Sequence, residues 1–292
     1  MEYIFSFVGT VVNISVPVLF ATLGILIMHL SGVLNIGAEG MMLIGAFSGM
    51  AGTSLFGNVW LGAVFALAVS ALGGALFAFF TVSMQANQTV VGVAFNILAT
   101  GLTTTLFRVL FGMGNSGQLI GFRPVAGGFS LPVYMGLLMV LAVTFIMYRT
   151  KPGLKMRAAG EHPKAVDSVG LSVTKIRYAS SIAGAAMIGF GGMYLSMGIL
   201  SFFSEEMVTG RGYIALAAVI FGRYTAVGSL LAVLVFGTGE AVVYRLQAAG
   251  SPVPTQLILM IPYILTIIIV AGFGKKTNEP AALGQPYVKG KE

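Results

Sequence analysis

The feature that most constrains this chain is a series of long apolar stretches that charge hardly interrupts: no lysine or arginine precedes Arg108. A helix needs about 20 mostly apolar residues to cross the hydrocarbon core of a bilayer. Stretches that can serve are Val8–Leu30, Met41–Phe56, Val59–Met84, Val90–Phe107, Leu131–Tyr148, Tyr178–Ile199, Gly212–Gly222, Ala226–Tyr244 and Leu257–Phe273. Gly212–Gly222 is too short to cross alone, so it borrows flanking residues or is a half-helix. Only 9% of the 292 residues are charged, against about 25% in a soluble domain, which leaves too little charge to cover a water-facing surface. The predicted fold class is therefore all-α, a polytopic helical membrane protein with about 8–10 transmembrane helices, broken or half-helices included. Trp60, Tyr134, Tyr148, Tyr178, Tyr224, Tyr244 and Tyr263 fall near span ends, where amphipathic rings prefer the headgroup level. The 40 glycines suit helices that pack closely in lipid through small residues; the runs Gly45 to Gly49 and Gly184 to Gly192 are read in that way.

Orientation follows from the positive charges. Arg149, Lys151, Lys155, Arg157, Lys164, Lys175 and Arg177 crowd one central stretch, and Lys275, Lys276, Lys289 and Lys291 lie in the tail. Placing both groups in the cytoplasm with Arg223, and leaving Arg108, Arg123, Arg211 and Arg245 outside, satisfies the positive-inside bias. This location also accounts for the net charge of +7 without a nucleic-acid partner. Counting spans from this anchor puts the Gly112–Gly128 segment, the loop around Glu205 and Glu206, and the N-terminus outside; a broken helix near residue 35 would reverse the side of the N-terminus. Met1–Phe7 carries Glu2 and lacks the basic region of a cleaved signal peptide. The division expected is a transmembrane domain over 1–274, with a cytoplasmic loop at 150–177, and a polar cytoplasmic tail at 275–292 whose Pro and Gly content suggests disorder.

Nothing in the sequence resembles a catalytic centre. The chain has no cysteine, and His29 and His162 are too far apart to suggest a metal site, so no metal ligand is assigned. Gly272–Thr277 faintly resembles a phosphate-binding loop, but Ile269 stands where the pattern needs glycine. No cofactor is expected in this chain.

The central stretch is the most informative. Pro163 fits the first turn of a short helix and Gly170 fits just beyond its end. Such a helix, about 10 Å long, is too short and polar to span, and suits another protein's groove; a solvated basic loop is the alternative. The segment Gly153–Val173, with its run Ala-Gly-Glu-His-Pro-Lys-Ala-Val-Asp-Ser-Val-Gly, resembles the coupling-helix loop of bacterial ABC importer permeases. The branch it resembles serves ribose, other simple sugars, nucleosides and riboflavin. Gly32–Phe47 is similar to that branch's signature near its second span, Asn87–Thr103 resembles its nucleoside-type members, and Gly210–Gly222 fits the same group. Relatives often carry an acidic residue before the Val90–Val91 pair; Gln85–Gln88 has none. In length the chain is similar to the shorter permease of nucleoside-type systems.

The resemblance implies a bacterial plasma (inner) membrane location and partners: a cytoplasmic ABC ATPase that binds ATP and Mg, a second permease subunit, homologous or identical, and an extracytoplasmic solute-binding protein. It carries Glu161, His162, Pro163, Ala165, Asp167 and Gly170 onto the ATPase-facing helix. The implied function is import of nucleosides or related sugar-like solutes by alternating access. A stand-alone secondary transporter or channel, using an ion gradient through Glu39 or Glu240, is the alternative.

Several polar residues lie in apolar surroundings. Glu39 sits between Gly37 and Gly40, which favour a broken helix. An intramembrane acid costs about 2.5–3.5 kcal/mol on insertion scales and so faces a cavity or a partner, and interrupted helices are where transporters place solute or gating elements. Alternatively Glu39 caps the following helix at the cytoplasmic interface. Asn35 lies in the same signature. Asn96, Thr100 and Thr103 share one helical face, which can line an aqueous path or bond neighbouring helices. Asn35, Glu39, Asn96, Thr100 and Thr103 are the candidates for the translocation path or gate. Glu240, near the outer interface, and His29, on an apolar helix, are read first as packing residues.

Overall fold

The computed structural model describes residues 2–112, 120–249 and 278–288, together with 254, 257–258, 260 and 264. The Gly272–Thr277 stretch and most of Leu257–Phe273 lie outside the described residues. The described chain is almost entirely helical: α1 (Glu2–Leu30), α2 (Ala38–Phe56), α3 (Val59–Ala78), α4 (Gln88–Phe111), α5 (Leu131–Arg149), α6 (Lys151–Glu161), α7 (Pro163–Ser168), α8 (Val173–Tyr194), α9 (Arg211–Phe221) and α10 (Ala226–Ala248). α3 and α8 each run on into a turn of π-helix, Phe79–Ser83 and Leu195–Leu200. A two-stranded hairpin, Pro124–Ala126 with Phe129–Ser130, precedes α5. Among the described residues six helices, α1, α3, α4, α5, α8 and α10, are long and apolar enough to cross a membrane, with α9 a shorter apolar helix. The protein is a multi-pass membrane protein with split helices.

α8 is the hub, packed against α1, α2 and α3. A Cβ on Gly45 would overlap the Gly189 backbone, and one on Gly24 would overlap Gly184. The two glycine runs thus let the backbones of α1, α2 and α8 touch, as small residues do in lipid. The core is continuous across these helices, with Phe20, Leu23, Met42, Ile188 and Met193 all buried.

Contacts sort the helix ends onto two faces. On one, Arg245 donates to the Ser6 hydroxyl (3.0 Å), Trp60 meets Phe122 (5.0 Å between ring centroids) and Arg108 pairs with Glu205 (2.7 Å). On the other, Ser83 meets Tyr178 (2.6 Å), Arg157 lies over the Tyr148 ring (4.8 Å) and the tail segment 280–287 touches Gly32, Gly160 and Arg177. The start of α1 and the central stretch are therefore on opposite faces, and the tail shares the face of the central stretch.

Three sequence expectations need correction. Residues 151–161, read as loop, form α6: the Thr150 hydroxyl accepts from Gly153 N (3.4 Å) and Pro152 stands in the first turn, a helix start that needs no apolar stripe. α8 begins at Val173, before the apolar run, because the Ser172 hydroxyl accepts from Lys175 N (3.3 Å); Arg177 thereby enters the bundle and is 1% exposed. Arg211 is set into the bundle, its side chain 13% exposed and 3.6 Å from Glu240. The tail is not disordered over 278–288, since main-chain bonds to Gly160 and Gly32 hold it.

Candidate functional site

α1 ends at Leu30 and the chain turns back through residues 31–37 before α2 begins. This is the broken helix foreseen from Gly37 and Gly40. Asn35 N donates to His29 Nε2 (3.2 Å), so the chain folds back beside the last turn of α1. The start of α2 is therefore set into the bundle, and its first-turn N–H groups need partners there. Gly37, its N-cap, offers no side chain. Asn96 of α4 supplies one: its Oδ1 accepts from Gly40 N (2.8 Å), while its Nδ2 donates to Ile36 O (3.1 Å) and to the Tyr213 hydroxyl (3.0 Å).

A second helix start meets the first. Gly210, in the left-handed region at φ 85°, caps α9 without a side chain. Glu39, in the first turn of α2, supplies what is missing: its carboxylate accepts from Gly210 N (2.6 Å) and Gly212 N (2.7 Å). Both helix dipoles present their positive ends to this one carboxylate, the arrangement that favours an anion. Glu39 thus caps a helix, but it is α9 rather than its own, and the site is inside the bundle. Arg211, in the same first turn, turns instead to Glu240 of α10 at 3.6 Å.

These groups form one wall of a cavity of about 830 Å³ lined by Glu39, Leu43, Asn96, Ile97, Thr100, Gly101, Glu205, Glu206, Val208, Thr209 and Tyr213. Glu205 and its partner Arg108 put the mouth on the face that carries the start of α1. Glu205 lies outside the spans; its hydrogen bond to Arg108 holds the carboxyl below the usual range against some desolvation.

Of the sequence candidates, Glu39, Asn96 and Thr100 line this cavity. Thr103 shares α4 with Asn96 and Thr100 but is 2% exposed and donates to Ala99 O (2.7 Å) within that helix. Asn35 is buried behind the wall, its Nδ2 directed at the sulfurs of Met28 (3.1 Å) and Met41 (3.3 Å). His29 is buried in contact with the Asn35 backbone and the Tyr224 ring (6.0 Å), as a packed residue. Tyr213, Thr209 and Glu206 were missed. The available signal was Gly210-Arg-Gly-Tyr213, where two glycines clear space for a neighbouring helix start and deliver a tyrosine one turn in.

On the opposite face α6 and α7 form a hairpin. α7 runs from Pro163 to Ser168, and Gly170 at φ 81° ends it as the spacing foresaw. Glu161 closes α6 and His162 is the joint, so neither belongs to the short helix itself. Glu161, His162, Ala165 and Gly170 are exposed, Pro163 and Asp167 half-buried, and Val166 is the buried anchor.

The comparisons with known proteins bear on this arrangement. A family model described as branched-chain amino acid transport system / permease component matches residues 7–270. The guanosine ABC transporter permease protein NupQ of Bacillus subtilis is 35% identical, covering 94% of each chain. The nucleoside ABC transporter permease protein NupC of Lactococcus lactis subsp. cremoris is 32% identical, covering 95% of each. A putative glucose ABC transporter permease protein, TsgC13 of Haloferax volcanii, is 32% identical over 98% of each. No solved structure matches this chain.

Proposed function

We propose, from the premise that this chain belongs to the branched-chain amino acid transport system / permease component family, that its solute is a nucleoside. As a member it is a membrane-embedded permease subunit of an ABC importer and a transport component without covalent chemistry of its own. That membership favours the ATP-driven reading over a stand-alone carrier or channel.

The observation that carries the nucleoside reading is the cavity lining: the Thr100, Thr209 and Tyr213 hydroxyls can donate to a solute, and no basic residue lies among the lining residues. A neutral polyol with a flat ring finds hydrogen-bond partners and one aromatic side chain there. The only charged lining residues a phosphorylated solute would meet are the acids Glu39, Glu205 and Glu206. The names of two relatives, for guanosine and for nucleosides, agree with this reading. A monosaccharide is the second reading, favoured by the glucose permease of Haloferax volcanii.

The complex would contain a cytoplasmic ABC ATPase, a second permease subunit and an extracytoplasmic solute-binding protein. Bacillus subtilis has a second guanosine permease protein, NupP, that is 22% identical to this chain, which supports a homologous rather than an identical partner. The α6–α7 hairpin, with Glu161, His162, Pro163, Ala165, Asp167 and Gly170, would receive the ATPase in the cytoplasm. The cavity would then open outward, and 1–274 would form the permease domain with 275–292 as its cytoplasmic tail. ATP binding and hydrolysis shift the bundle between outward- and inward-facing states by the difference in nucleotide affinity for the two. Asn96, Thr100 and Glu39 would form the path and gate, with Asn35 and Thr103 supporting them from behind.

The test is reconstitution of the permeases with their ATPase and binding protein in proteoliposomes. Uptake of labelled guanosine is competed with other nucleosides, ribose, glucose and a nucleoside monophosphate. Nucleosides should compete and the monophosphate should not; competition by glucose alone would replace the first reading by the second. Replacing Glu161 and Asp167 together by alanine should lower uptake and stimulated ATP hydrolysis in parallel. Unchanged coupling in that double variant would remove the hairpin's docking role.

A further inference from the structure

The tail segment 280–287 makes more directional contacts than a polar tail needs. Ala282 N donates to Gly160 O (2.8 Å) and Ala281 N to Glu161 Oε2 (3.3 Å), both at the end of α6. Gly284 N donates to Gly32 O (3.2 Å), just past α1. Arg177 Nη1, in the second turn of α8, donates to Gln285 O (2.8 Å). Ala282 is buried, Leu283 packs on the main core, and Tyr287 packs on the Ala159–Val166–Val173 cluster, with its hydroxyl against Asp167 of α7. One stretch of eight residues is thus bonded to α6, α7, α8 and the end of α1.

Arg177 is the unusual member. It is 1% exposed, and its Nε and Nη2 have no hydrogen-bond partner among the described residues. A cation buried on so few bonds costs folding energy that an apolar residue of like size would not. What it supplies is a fixed donor for one main-chain carbonyl of the tail, which shape alone would not hold.

We propose that residues 280–287, held by Arg177, splint the α6–α7 hairpin to the end of α1. A stroke received at α7 is then passed through Gly160 and Ala282 to Gly284 and Gly32, and so to the break that sets Glu39 and the start of α2. α6 also touches α1 directly, where Gly160 lies against Leu30 O. That packing can slide; the splint adds hydrogen bonds on both sides of it. Arg177 is a positioning residue for energy coupling, and the inference rests on the ATP-driven reading above.

The experiment uses the complete importer in proteoliposomes and reads solute taken up per ATP hydrolysed. Ending the chain after Thr277 should leave ATP hydrolysis in place and lower that ratio roughly tenfold, within the range of ordinary coupling energies. Arg177→Met should do the same, and Arg177→Lys should restore part of the ratio. The truncated chain could fail to assemble, so a disulfide provides an independent arm. The protein has no native cysteine, and a Cβ on Gly284 would lie 3.6 Å from that of Leu34, within disulfide range. A cysteine is strained at the Gly284 φ of 73°, so the reduced form of the same variant is the reference. Leu34→Cys with Gly284→Cys, oxidised, should transport as well as the same variant reduced, because the splint and the α1 end move together. Loss of uptake on oxidation would show that the tail must detach, and would overturn the proposal. An unchanged ratio in Arg177→Met would do so as well. Wild-type uptake without ATP would sink the ATP-driven reading itself, in the wild-type arm alone.

Discussion

Replacing Glu39 by glutamine tests whether one carboxylate clamps two helix starts. In the wild type it accepts from Gly210 N at 2.6 Å and Gly212 N at 2.7 Å. Hydrogen bonds to a charged group contribute about 1.5–3 kcal/mol each. Glutamine keeps one carbonyl oxygen for one N–H and turns its NH2 toward the other, so one bond is lost and a donor faces a donor. The charge at the helix start adds about 0.3–1 kcal/mol, more where partly buried. Cavity water replaces part of this, which leaves a net loss of about 2 kcal/mol, or roughly 30-fold if it falls on the transport step. The assay is initial uptake against solute concentration in proteoliposomes, with the melting temperature of the purified complex. The maximal rate and the melting temperature should fall while KM holds. Glu39→Asp, one methylene shorter, should reach one amide and lie between. A glutamine variant with wild-type rate and melting temperature would refute the clamp. A raised KM at an unchanged maximal rate would instead make Glu39 a solute ligand.

Asn96→Leu removes the bonds to Gly40 N, Ile36 O and the Tyr213 hydroxyl and should cost about 1–3 kcal/mol of stability; a thermal melt of the purified permease checks it. Gly45→Ala pushes a methyl into the Gly189 backbone and should cost about 1–3 kcal/mol as overpacking, whereas Gly101→Ala meets nothing within 4 Å and should leave the monodisperse yield in detergent unchanged. The Arg108 partner depresses the Glu205 carboxyl, so this pair's support for the 201–210 loop is complete above the usual carboxylate range and is lost only as pH falls through the lowered value. Protease sensitivity of that loop should rise at acid pH, and in Arg108→Gln it should already be raised at neutral pH.

Much of this was legible in the sequence, for a physical reason in each case. The apolar runs located the bundle helices because lipid leaves the chain no other way to satisfy its backbone. Gly37 and Gly40 marked the broken helix, and Pro163 and Gly170 bracketed α7. The i, i+4 spacing of Asn96 and Thr100 put both on the cavity, but Thr103, nominally on the same stripe, bonds back to its own helix. A polar stripe fixes a helix face and does not say which hydroxyls stay free. α6 was missed because its start rests on Thr150 and Pro152 rather than on periodicity. The splint was missed because it is made largely of main-chain bonds, from Ala282 and Gly284 to carbonyls far earlier in the chain, and side-chain composition carries no record of those. The partner of Glu39 was hidden likewise: Gly210 and Gly212 contribute amides, and their identity says only that a neighbour comes close.

The two polar assemblies explain each other. At the cavity, two helix starts that would otherwise leave N–H groups bare inside the bundle are satisfied by side chains from other helices: Asn96 for α2 and Glu39 for α9. Neither cap is local, so neither helix can tilt without changing the other's bonds. The break that delivers Glu39 begins just after Leu30, and Gly32 O within it is where the tail is bonded. A displacement of the α6–α7 hairpin therefore reaches the cavity wall through backbone rather than through soft side-chain packing. Removing either end should then have different signatures. Loss of the Glu39 bonds weakens the wall whether or not ATP is hydrolysed. Loss of the Arg177–Gln285 bond leaves the wall intact at rest and fails only when the hairpin is driven.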